Sequence, residues 1–125
     1  MDNLNKVGEY AGEYNNILNI NLPCVPIYVS DGLRKHMQNH NHSNCLKYID
    51  KIPEIINKPD YIGKNPKEPN SIELVKVYDN NIQIGIKLDM SRDYLYVATL
   101  FDIKQGKIDR RLNSGRLKRK NDDCY

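Results

Sequence analysis

Residues 72–103 read IELVKVYDNNIQIGIKLDMSRDYLYVATLFDI, and the fold is decided there. Three runs rich in β-branched and aromatic residues, 72–78, 82–88 and 94–103, are joined by short polar loops at 79–81 and 89–93. That is the pattern of an antiparallel meander. In the middle run Ile82, Ile84, Ile86 and Leu88 alternate with Gln83, Gly85 and Lys87, so one face is apolar and the other polar. The third run is apolar on both sides, which predicts an interior strand.

Upstream, PDYIGKNPKEPN carries three prolines and reads as a connection with a short strand at Tyr61–Gly63. In residues 4–18, Leu4, Val7, Ala11, Tyr14 and Leu18 recur at three- and four-residue steps, which predicts a helix weakened by Gly8 and Gly12. NINLPCVP breaks it, and IYV at 27–29 reads as a short extended segment. Ser30 is placed as the N-cap of a second helix, in which Leu33, His36, Met37 and His40 share one face. Another helix starts after Asn44, with Leu46, Ile49, Ile52 and Ile56 inward and a kink or break at Pro53. The predicted architecture is α+β: helices first, then the meander, then a basic C-terminal segment.

A chain of 125 residues supports one domain. No run approaches the length of a membrane span, and MDNLNKVGEYAGEY lacks the layout of a secretion signal. Three cysteines (Cys24, Cys45, Cys124) without a CxxC argue for reduced thiols in a cytoplasm. The net charge of +3 is uneven: residues 104–120, KQGKIDRRLNSGRLKRK, hold eight lysines or arginines against one aspartate. Such a segment attracts polyanions, or is a solvated tail.

Three constellations could carry chemistry. His36, His40 and His42 could exchange protons near neutrality or, at a weaker match, bind a metal; their bland reading is as helix-end residues. In RRLNSGRLKRK the arginines suit a phosphate, and Ser114-Gly115 permits a tight turn. Lys76 and Lys87 interrupt apolar strands; Lys76 reads as an edge lysine, and Lys87 shares the polar face with Gln83.

The strings PDYIG, SIELVK, IGIKLD, YLYVATL and RLNSGRLK, with IYVSDGLRKH before them, carry a resemblance. Over residues 25–118 the chain resembles the phage-type barnase–EndoU–colicin–RelE-like nucleases, in the third branch of the phage-encoded group. The resemblance implies N-terminal helices packed on a four-stranded antiparallel sheet. It divides the chain into a helix and linker (1–24), a nuclease-like domain (25–120) and an acidic tail (121–125). It also implies a metal-independent endoribonuclease without a cofactor, in which attack by the ribose 2′-OH leaves a 2′,3′-cyclic phosphate. In such a toxin or phage or mobile-element effector, RNA is the partner, and an immunity or antitoxin protein a second. The same fold without turnover would be an RNA- or partner-binding module. Carried over, the resemblance assigns proton transfer to His36 or His40, electrostatic support to Lys87 and a phosphoryl hydrogen bond to Ser114. Substrate binding falls to Lys76, Arg110, Arg111, Arg116 and Lys118. Some relatives have His where this chain has Asn113; if that position supplies the second proton-transfer group, this chain would be impaired or would rely on His36 and His40 alone.

Overall fold

The computed structural model describes residues 4–39 and 43–120. Among them, seven strands form one sheet: β1 (Leu4–Glu9), β2 (Pro26–Ser30), β3 (Tyr61–Gly63), β4 (Ser71–Val77), β5 (Asn81–Asp89), β6 (Tyr94–Asp102) and β7 (Leu117–Arg119). Their spatial order is β1-β2-β6-β5-β4-β3-β7, with β2 and β6 parallel and the other neighbours antiparallel. Helix α1 (Glu13–Leu18) follows β1. After β2 come α2 (Gly32–Asn39), a 3₁₀ segment (Ser43–Lys51) and α3 (Ile52–Asn57); α4 (Gln105–Ser114) follows β6.

This corrects the four-stranded antiparallel sheet with leading helices. The sheet is seven-stranded and mixed, the described residues open on a strand, and each helix comes after one. The predicted helix at 4–18 divides: residues 4–9 pair with β2 across an irregularity at Lys6/Gly8, and only 13–18 coil. Gly8 lies close against Ile56 of α3, where a Cβ would stand 3.1 Å from Cγ2, so β1 packs at a position that leaves little room for a side chain.

The meander follows the alternation read from its sequence. Ile72, Leu74, Ile82, Ile84, Ile86, Leu95 and Leu100 are buried on one face with Leu33 and Met37 of α2 and with Ile52, Ile55 and Ile56 around Pro53. On the other face Val75 joins Ile103, Ile108 and Leu117, flanked by Tyr61 and Leu112, and this smaller cluster seats α4. The sheet therefore separates α2, the 3₁₀ segment and α3 on one side from α4 on the other. Tyr14 ties α1 to α3 by donating its hydroxyl to the Ile56 carbonyl, 2.8 Å away in the core.

Burial pushes the Tyr14 hydroxyl up to about 12, with the Glu13 charge adding to it. In the unfolded chain the hydroxyl ionises near 10, so the native state holds this proton more tightly. Stability contributed below that pH is lost as pH rises between about 10 and 12. Urea titrations across this range should show a falling midpoint in the native sequence and a shallower fall in Tyr14→Phe. That variant should also be less stable at neutral pH by about 1 kcal/mol, from the lost hydrogen bond.

No helix among the described residues is long and apolar enough to cross a membrane.

Candidate active site beneath the last turn of α4

The site begins with a charge in an apolar strand. Glu73 points to the face opposite Leu74, beneath the C-terminal turn of α4, and its side chain is 9% exposed. Arg116 grips it with two parallel bonds, Nε to Oε1 at 3.0 Å and Nη2 to Oε2 at 2.9 Å. Gln83, which faces the same way from the next strand, donates Nε2 to Oε2 at 3.1 Å. Its own Oε1 accepts Nη1 of Arg111 at 2.8 Å, and the same Nη1 stands 3.8 Å from Glu73 Oε2. The four side chains form one connected polar cluster, two guanidiniums on one carboxylate.

That leaves one excess positive charge on groups that are mostly covered. Arg111 is 11% exposed and Arg116 25%. Burial, the largest cause, pushes the Arg111 guanidinium below its ordinary value; Glu73 opposes this, and repulsion from Arg116 and Arg110 adds to it. An anion arriving at this face relieves that repulsion, and the fork geometry of the guanidiniums suits a phosphate.

Local sequence sets the position of the arginines. Helix α4 ends at Gly115, whose φ of 84° lies in the left-handed region that glycine adopts without a Cβ penalty. Ser114 Oγ donates to the Arg111 carbonyl at 3.1 Å and accepts the Arg116 N–H at 3.3 Å. Ser114 thus builds the turn that aims Arg116 back at Glu73. Gly63 admits the strand that follows: a Cβ there would stand 2.6 Å from the Arg116 carbonyl oxygen and 2.8 Å from Leu117. Gly63→Ala should destabilise the protein by about 1–3 kcal/mol, as overpacking does. Thermal unfolding is the measurement, and the variant should also displace Arg116.

The other sequence-predicted residues scatter. Lys87 lies on the same face, opposite Ser71 and diagonal to Glu73, with its ammonium 3.6 Å from Glu68. Lys76, on an interior strand and not at an edge of the sheet, donates to the Lys58 carbonyl at 2.8 Å beyond the end of α3. Lys118 donates to the Ile17 carbonyl of α1 at 3.1 Å, away from the arginine cluster. Arg110 is exposed on α4. His36 is exposed on α2, whose neighbours Leu33 and Met37 enter the opposite core, so the sheet stands between its helix and α4. His40, His42, Cys124 and the acidic tail 121–125 lie outside the described residues. Among the described residues no three His, Cys, Asp or Glu side chains gather into a set that could hold a metal ion.

Two members of the cluster, Glu73 and Gln83, were not among the residues read as functional. The signal was present for Glu73: a lone carboxylate at a strand position whose neighbours on both sides are apolar. Its arginine partner is 43 residues away in the chain, so only the folded sheet reveals the pair.

A family model described as phage-Barnase-EndoU-ColicinE5/D-RelE like nuclease3 matches residues 5–110. No curated protein and no solved structure matches the chain.

Proposed function

The chain belongs to the phage-Barnase-EndoU-ColicinE5/D-RelE like nuclease3 family, and on that premise we propose that it is a metal-independent endoribonuclease whose working groups are Glu73, Arg111, Arg116 and Lys87. One observation carries the reading: two guanidiniums converge on a single carboxylate on the face of the sheet that α4 packs against.

The chemistry follows from those groups. The scissile phosphodiester sits against Arg111 and Arg116, which hold its non-bridging oxygens and stabilise the charge that gathers there. Glu73, released in part from its guanidinium bonds, accepts the proton of the ribose 2′-OH. The 2′-oxygen bonds to phosphorus, the bond to the 5′-oxygen breaks, and a cyclic phosphate remains on one fragment. The departing 5′-oxygen takes its proton from water, with the Lys87 ammonium stabilising its charge. Ser114 acts through Arg116 as a positioning residue. His36 has no part in this scheme.

Purified protein incubated with mixed cellular RNA in EDTA should produce fragments that end in 2′,3′-cyclic phosphate. RNA left intact at every neutral pH would overturn the reading. RNA cleavage inside a cell makes a toxin or a phage or mobile-element effector, restrained by an immunity or antitoxin protein. Induced expression should accordingly arrest growth, and Glu73→Gln should relieve the arrest.

A second reading has its own support. Both Glu73 oxygens are already engaged by Arg116 and Gln83, as in a structural polar network. On that reading the domain binds RNA without cleaving it. Salt-sensitive RNA affinity with no cyclic-phosphate ends at any enzyme concentration would favour the binding module.

A further inference from the structure

Beyond α4 the polar face of the sheet continues across β5, β6 and β2 with partly exposed side chains, and aromatic rings lie along it. Lys87 stands opposite Tyr96, and Tyr96 is paired with Tyr28 on the parallel neighbour. Tyr94 is two residues along β6 on the same face, its ring centroid 5.2 Å from that of Tyr28 and the planes at 57°. All three tyrosines are partly exposed, whereas Tyr10 and Tyr14 are sealed in the core. Cations border the rings. Lys6 of β1 faces Tyr28, and the Arg92 guanidinium reaches the Tyr94 hydroxyl at 3.5 Å. Two shallow cavities, of about 330 and 430 Å³, meet at Tyr94 and Arg92. Of the nearby carboxylates, Asp89 is turned to the Ser91 N–H and hydroxyl at 3.0 and 2.8 Å, and Asp93 is exposed beside Arg92 in the 430 Å³ cavity, where it opposes an anion. Glu9 and Glu68 make exposed ion pairs with Lys6 and Lys87, of the kind a phosphate exchanges with at little cost.

The geometry points to a single-stranded RNA track running from Glu73 and Arg116 across β5 and β6 to β2, with bases stacked on Tyr96 and on Tyr28 and Tyr94. Its phosphates pair with Lys87, Arg92 and Lys6. Neighbouring strands lie about 4.8 Å apart, so the row from β4 to β2 extends about 14 Å, room for more than one nucleotide. Rings separated by cations fit a polymer that alternates flat bases with charges. A duplex cannot use the row, because its bases are already stacked on one another. Stacking accepts every base, so the track confers preference for unpaired RNA and little for sequence. The track rests on the nuclease reading only for where the cut falls.

The test uses a fluorescein-labelled 2′-O-methyl RNA decamer, which offers no 2′-OH and stays intact, so the result stands whether or not the protein cleaves RNA. The native protein should bind the single strand more tightly than the same decamer annealed to its complement. Tyr28→Leu and Tyr96→Leu should each weaken single-strand binding about 5- to 100-fold, and Tyr28→Phe and Tyr96→Phe should restore it. In the native protein carrying ¹³C-labelled tyrosine, the ring signals of Tyr28, Tyr94 and Tyr96 should shift on titration, and those of Tyr10 and Tyr14 should stay. Equal affinity for single strand and duplex, unshifted signals from the three rings, or leucine variants that weaken heparin binding as much as RNA binding would overturn the track. Cleavage by a protein whose rings do not respond would remove the track and leave the nuclease standing.

Discussion

Glu73→Gln should lower kcat for RNA cleavage by about 10²- to 10⁴-fold, the range a positioned proton acceptor supplies, without raising KM. The glutamine keeps the shape of the side chain and an oxygen for the guanidiniums, but it cannot take the 2′-OH proton. Its removal of negative charge also leaves Arg111 and Arg116 with no carboxylate beside them. The phosphate should therefore bind as well as before or better, and inorganic phosphate should raise the melting temperature of the variant more than that of the native protein. A carboxylate that only held the fold would give a different pattern: a higher KM and no separate loss in kcat. His36→Ala, on the far side of the sheet, should leave turnover within a few-fold of native.

Arg116→Ala should cost both stability and catalysis. It strips the bidentate partner from Glu73 and leaves a carboxylate that is 9% exposed with only Gln83 in hydrogen-bond contact and Arg111 at 3.8 Å. Breaking a buried pair costs about 3–5 kcal/mol. Arg116 keeps a quarter of its side chain in water, so the lower end applies here. The scissile phosphate loses one of its two guanidiniums, which should reduce kcat by about 10²- to 10³-fold, as removal of one charge-stabilising donor does. Urea unfolding of Arg116→Ala, Glu73→Gln and the double variant forms a cycle. The double variant should recover part of the lost stability, because the buried carboxylate no longer lacks its partner while Arg111 keeps its bond to Gln83, and recover none of the activity.

The meander was legible because a period of two is local: the alternation at 82–88 assigned Gln83, Gly85 and Lys87 to one face before any partner strand was known. Tyr61–Gly63 was legible too, as a β-prone triplet among prolines. What escaped were short elements defined by distant pairing. Residues 4–9 carry apolar side chains at helical steps, yet their backbone pairs with residues 26–30, and nothing local announces that. The basic segment 104–120 reads as a charged arm, but Ile108, Leu112 and Leu117 are spaced to dock α4 and β7 against Val75. Within the site, the arginines and the Ser114-Gly115 turn were legible from residue chemistry. Glu73 was not, since a carboxylate in an apolar strand declares its role only when its guanidinium partner is brought to it. Of the helix face read at Leu33, His36, Met37 and His40, Leu33 and Met37 are buried, His36 is exposed, and His40 lies outside the described residues.

If this cluster activates a ribose hydroxyl against its own phosphodiester, the cut must fall beside a ribose, and one substrate set reads where it falls. Four DNA oligonucleotides, each with a single ribonucleotide of a different base at one internal position, are incubated with the protein and their ends identified by mass spectrometry. The expected result is a single cut, immediately 3′ of the ribonucleotide, leaving a 2′,3′-cyclic phosphate, and no product from the all-DNA control. Cleavage of the control, or intact chimeras alongside active cleavage of long RNA by another end chemistry, would contradict it.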